Sequence, residues 1–285
     1  MKTKLICGLL ALGLVCSNTA SVFAADSVKS TQNDNKTVSS TNSINEDGYT
    51  TEHIINPEDF PSGITEKDQK AREYFEKREA ELKLMGSGSR SLARATNNSK
   101  YLRYDKINSP EKQKRSYWCG PAAALNAIDT RSYHSTGKNT NLTQDKLANV
   151  LITGGQTSFN DKWEEVLNKH APGNNYQLRR GNGYSDLGWQ NHIAQCIVTT
   201  IDKGFPVIVD TKQAANTAFL TSAYRNHYNS NGNNAIYHYI AVIGYMYSNG
   251  QYYINYMDSA GFNHGVYTVP LSTLAKASCP MGIVY

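Results

Sequence analysis

A change of pattern near residue 204 constrains this chain more than any other feature of its sequence. Ahead of it the chain after residue 100 reads as helices, expected at Cys119–Asp129, Gln144–Ile152, Asp161–His170 and Trp189–Lys203. Beyond it come β-branched and aromatic runs at Phe205–Val209, Ala235–Tyr247, Gln251–Met257 and Val266–Val269, bounded by Asn, Gly and Ser. Helices followed by strands predict an α+β fold, with N-terminal helices packed on a C-terminal antiparallel sheet. No internal repeat is visible.

The first residues are set apart from the fold. Lys2 and Lys4, the apolar run Leu5–Val15 and the exit Val22-Phe23-Ala24 have the order of a secretory signal, so residues 1–24 are expected to be removed on export. The run is shorter than the ~20 residues a spanning helix needs, and no later stretch is long enough. A secreted or wall-associated protein is the expectation. Residues 26–48 are polar throughout and are expected to be disordered.

Glu66–Met85 reads as a helix. Acid and base stand four apart at Asp68/Arg72, Glu73/Lys77 and Glu79/Lys83, and Ala71, Tyr74, Phe75, Leu82 and Met85 form a narrow apolar stripe. A Gly/Ser stretch after Met85 ends it and carries Arg90 and Arg94. Residues 25–95 hold ten Lys/Arg against thirteen Asp/Glu, whereas 96–285 hold seventeen against eleven. An acidic segment before a basic domain suggests a pro-segment over 25–98 that covers a cleft in domain 99–285 until the linker is cut near 86–97. A plain spacer is the open alternative. The basic surplus is too dispersed for a nucleic-acid stripe.

Three cysteines follow the signal, Cys119, Cys196 and Cys279, and an odd number in an exported protein implies a thiol with its own purpose. Cys119 opens a helix within Tyr117-Trp-Cys-Gly-Pro-Ala, where unpaired backbone N–H groups favour a thiolate. Gly120 is expected to let the backbone approach substrate closely, and Pro121 suits the first turn. Six residues upstream, Gln113 offers a side-chain amide for a developing oxyanion, although by itself that spacing is weak. His238 lies in an apolar run read as a central strand, and Asp258 ends the following strand. A hairpin would set the carboxylate beside the imidazole.

Together these residues resemble the papain-like cysteine peptidases, and most closely family 39, the bacteriocin-processing double-glycine-leader peptidases and their stand-alone relatives. Gln113–Ala123, Gly204–Val209, His238–Tyr245 and Tyr253–Ala260 carry the resemblance, which covers about residues 100–285 and none of the first 95. It implies a papain-like fold and peptide hydrolysis, with Cys119 as nucleophile, His238 as general base, Asp258 as its orienter and Gln113 as oxyanion donor. The chain departs from the transporter-coupled members in lacking a membrane domain and a nucleotide-binding motif, and in carrying an export signal. A peptide or protein is the expected partner, with no cofactor, no metal and no nucleic acid. Two alternatives stay open, a peptidoglycan amidase or endopeptidase and an inactive peptidase-like binding module.

Other residues have weaker claims. His134, His227 and His264 stand in apparent loops, while His170 and His192 have helical contexts without an acidic partner at ligand spacing. Nothing in the spacing resembles a zinc site. Cys196 reads as core, and a Cys196–Cys279 disulfide is an open alternative.

Overall fold

A computed structural model describes residues 63–86, 98–153 and 156–285 of the chain. The signal, the polar stretch after it and the Gly/Ser linker lie outside these residues. In chain order the elements are α1 (Glu66–Gly86), β1 (Ser99–Tyr101), α2 (Cys119–Thr136), α3 (Gln144–Leu151), β2 (Ile152–Thr153), β3 (Gln156–Thr157), α4 (Lys162–His170), β4 (Leu178–Arg180) and α5 (Asp186–Asp202). They continue as β5 (Val207–Gln213), α6 (Ser222–Ser230), β6 (Ile236–Ser248), β7 (Gln251–Asp258), β8 (Gly265–Pro270), α7 (Leu271–Ser278) and β9 (Gly282–Val284). No helix among the described residues is long and apolar enough to cross a membrane.

The fold is α+β, as expected, and its main sheet is antiparallel throughout, in the order β4-β9-β5-β6-β7-β8. β6 outlasts β5, and β1 fills the vacated edge by pairing Ser99–Tyr101 with Gly244–Met246. Strand alternation divides the core into two layers. Val207, Val209, Ile240 and Val242 pack beneath α5 and α7 with Trp189, Ile193, Ile197 and Leu274. Ile208, Tyr239, Ala241 and Ile243 pack beneath α2 and α4 with Ala124, Ile128, Trp163 and Leu167. Helices therefore cover both faces, and two of them, α6 and α7, come from within the strand-rich half.

α1 belongs to this body. Phe75 is fully buried in the α5 layer, with its ring centroid 5.6 Å from that of Tyr252. Asp68 turns inward, where it accepts hydrogen bonds from Arg179 of β4, the Tyr285 hydroxyl and Thr65. Burial disfavours that carboxylate, but these donors prevail and hold it down at about 2. Exposed pairs on the outer face join Glu66 to Lys70 and Arg72 to Glu76. Tyr74, expected in the apolar stripe, is partly exposed and donates to Asp202.

Candidate active site

Cys119 is the first residue of α2 and is half-buried. The first N–H groups of a helix have no carbonyl within it to bond, so they face the sulfur's surroundings. Pro121, with no N–H to leave unpaired, occupies the same turn. Gly120 is required for a reason other than the one expected. A Cβ there would lie 2.3 to 2.7 Å from three atoms of Thr157, so the glycine admits β3 rather than substrate.

His238 comes from β6 and Asp258 from the end of β7, the two strands of a hairpin. The His238 Nε2 lies 3.0 Å from Asp258 Oδ1, an ion-pair contact in which the ring N–H is not in line with the oxygen. Asp258 is fully buried and well supplied with donors. It accepts from the Ala260 N–H at 2.8 Å, the Tyr224 hydroxyl at 2.7 Å and the Asn263 amide at 3.0 Å. Burial would push its carboxyl up, yet the charge of His238 with the other donors leaves it below the usual range. Burial likewise works against a charged His238. The charge of Asp258, and then Cys119, overcomes it and raises the imidazole to about 10. A neighbouring cation of this kind is what a thiolate requires.

Gln113 lines the same cavity as Cys119 and His238, a space of about 430 Å³ that also borders Ala260 and Phe262. Its backbone N–H bonds the Ser259 carbonyl at 3.0 Å, which joins its loop to the residue after Asp258. Buried amides grip that loop on both sides. Asn126 of α2 accepts from the Glu111 N–H at 2.7 Å, and Gln144 of α3 accepts from the Lys114 N–H at 3.0 Å while donating to the Lys112 carbonyl at 2.9 Å. The Gln113 Nε2 donates to the carbonyls of Arg115 and Ser116 at 2.9 and 2.8 Å. To serve an oxyanion it must release one of them.

Residues 104–279 match the model of the Peptidase_C39 like family. The chain belongs to that family. Membership makes it a cysteine-type peptidase. No curated protein sequence matches it. Among solved structures the peptidase is similar to digestive procathepsin L 3 of the Tenebrio molitor larval midgut, with TM-score 0.42 and 15% identity over 70% of this chain and 71% of that one. It is also similar to the bromelain protease of Ananas comosus in complex with the E64 inhibitor, with TM-score 0.39 and 14% identity over 62% and 92%.

The remaining candidates separate clearly. His227 is on helix α6 rather than in a loop, and stacks on Phe262 at the rim of the Gln113 cavity. His264 reaches the Pro110 carbonyl at 2.6 Å. His134 closes α2, where its Nδ1 accepts from the Arg103 N–H. All three described cysteines are free, so no Cys196–Cys279 disulfide forms. The structure does gather Asp68, His192 and Cys196 within 4.8 Å of one another, a cluster that spacing could not show because Asp68 lies on α1. Asp68 is already committed to Arg179, Tyr285 and Thr65, which makes it a poor metal ligand. Sequence reasoning missed Tyr224 and Asn263, which both donate to Asp258. Tyr224 stands in an Asn- and Tyr-rich stretch and Asn263 in a Gly-containing turn, and neither carries a periodic signal.

Proposed function

We propose that the chain is an exported peptidase that cleaves peptide bonds through an acyl-thioester on Cys119. The convergence of a thiol on the first residue of a helix, a buried imidazole held at about 10 and a fully buried carboxylate 3.0 Å from it supports this reading. With Nε2 against Asp258, Nδ1 is the ring nitrogen left to exchange a proton with the sulfur.

The thiolate attacks the carbonyl carbon, a C–S bond forms, and the carbonyl electrons move to oxygen. The Cys119 backbone N–H and the Gln113 amide are the donors within reach of that oxyanion. Collapse breaks the C–N bond as His238 gives its proton to the departing amine. Water, deprotonated by the now neutral His238, then attacks the thioester carbon, the C–S bond breaks as the carboxylic acid leaves, and the thiolate and protonated His238 are restored. Asp258 keeps the ring oriented and stabilises its charge in both halves.

Export rests on the first 24 residues alone and is tested by where the protein accumulates and at which residue it begins. The catalytic reading is tested by turnover of peptide mixtures. Cys119→Ala and His238→Ala should each abolish hydrolysis of every peptide the native enzyme cleaves. Retained hydrolysis in either variant would assign the reaction elsewhere.

A further inference from the structure

Cys119 stands between two cavities. One, already described, is bordered by His238 and Gln113. The other, about 570 Å³, is bordered by Cys119, Phe159, Arg180, Asp210 and Tyr239 and does not include His238. His238 must face the leaving amine in order to protonate it, so the leaving chain runs along the first cavity. The acyl chain then runs into the second.

Asp210 forms part of that second cavity and is 1% exposed. On β5 it stands opposite Tyr239 of β6 on one side and Gly282 of β9 on the other. Its carboxyl thus rises between a phenol and a position without a side chain. A Cβ at Gly282 would fall 2.6 Å from the Phe159 ring and 2.1 Å from the Arg179 carbonyl oxygen, so only a glycine lets β4 and the Phe159 ring close in beside Asp210. The Tyr239 hydroxyl donates to the Thr157 carbonyl at 3.4 Å, and Asp210 Oδ1 is buried without a partner. A buried acceptor left unpaired is costly, and a residue that holds one while lining a cavity next to Cys119 can take a donor from substrate.

The donor's chemistry follows from the surroundings. Arg180, exposed at the rim, gives Nη2 to the Phe159 carbonyl at 2.5 Å and lies 5.5 Å from that ring. It is held at the entrance. The Phe159 and Tyr239 rings stand 6.3 Å apart at the cavity wall, a surface along which an aliphatic stem can pack and over which a cation is attracted. Burial raises the Asp210 carboxyl to about 7, although Tyr239, His238, the Thr211 N–H and Arg180 all act to lower it. A cation seated on Oδ1 would hold the ionised form.

Resting on the peptidase reading, we propose that Asp210 selects substrates with a lysine or arginine side chain on the acyl side of the scissile bond, seating the cation on its unpartnered Oδ1. The probes are peptidyl chloromethyl ketones of one length, with Lys, Leu or Glu placed at each acyl-side position in turn. Cys119 displaces chloride from the ketone as a C–S bond forms, so the inactivation rate reads seating beside the sulfur without any hydrolysis. At one position Lys should be faster than Leu by at least tenfold, and Glu slowest. Asp210→Asn should bring the Lys/Leu ratio to near one. Arg180→Ala, which removes a like charge from the rim, should raise the ratio several-fold and gives a second reading if the buried substitution fails to fold. Equal rates for Lys and Leu at every position, or a ratio that neither variant moves, would overturn the assignment. Hydrolysis of the matching amides separates the two ideas. A Lys preference in alkylation without amide hydrolysis would overturn the peptidase reading and leave the pocket standing.

Discussion

Nε2 of His238 and Oδ1 of Asp258 lie 3.0 Å apart at the ends of adjacent strands, both nearly out of reach of solvent. Burial opposes the charged imidazole, and the carboxylate overcomes it and holds the ring at about 10. A group raised above its free value of 6.5 stays protonated until pH climbs through the folded value. The alkaline limb of kcat/KM should therefore fall near pH 10 rather than near 6.5. In Asp258→Asn the raising charge is gone and burial remains, so the limb should move to lower pH. Rate profiles of the two proteins on one substrate measure this. An unmoved limb would detach His238 from Asp258.

Gln113 spends its amide hydrogens on the Arg115 and Ser116 carbonyls while lining the cavity with Cys119. If one hydrogen is lent to the oxyanion, Gln113→Ala should lower kcat by roughly 10²–10³-fold with little change in KM. A rise in KM with kcat preserved would restrict the residue to shaping its loop.

Gly120 and Thr157 meet where β3 crosses the start of α2. A methyl at residue 120 would fall 2.3 Å from a Thr157 carbon, and overpacking of this order costs about 1–3 kcal/mol. Gly120→Ala should lower the melting temperature and slow turnover. Thr157→Gly, added to it, should recover part of both, since the crowding atoms all belong to Thr157. Failure of the double variant to recover would place the clash elsewhere.

The helix α1 was expected to belong to a removable segment over the cleft. The rest of that segment lies outside the described residues; α1 itself packs on α5, on the sheet face opposite α2, and the two cavities beside Cys119 contain none of its residues. Phe75→Ala should destabilise the catalytic domain itself, by about 3–5 kcal/mol for a fully buried ring. Chemical denaturation of the full chain reads this as a single shifted transition. A separate early transition with the main one unmoved would mark α1 as an independent appendage.

The candidate site was legible as a grouping because each member carries a local signal. Cys119 opens a helix beside Gly and Pro, and His238 and Asp258 belong to a hairpin whose strands are strongly β-patterned. The boundaries of α1, α3 and β6 lie within one or two residues of expectation for the same reason. What escaped depends on contacts between segments far apart in the chain. Asp68 reads as a surface partner for Arg72 until β4 brings Arg179 to it. Tyr224 lies in the polar helix α6, whose inward face has one buried side chain, so no stripe announces it. Asp210 follows the expected strand Phe205–Val209, and only its cross-strand neighbours reveal an unpartnered oxygen in the cavity that Cys119 borders.

Cys196 is fully buried with its thiol pushed far up by burial, and Cys279 is likewise raised by burial, which leaves Cys119 as the half-exposed sulfur beside an imidazole. The most direct measurement is acid quenching of the enzyme during steady turnover of a peptide ester, followed by digestion and mass spectrometry. The fragment containing Cys119 should carry the acyl group of the substrate, the fragments with Cys196 and Cys279 should carry none, and hydroxylamine should remove the adduct. Turnover with an acyl group on another residue, or with Cys119 unmodified under conditions where acylation outpaces hydrolysis, would contradict the account.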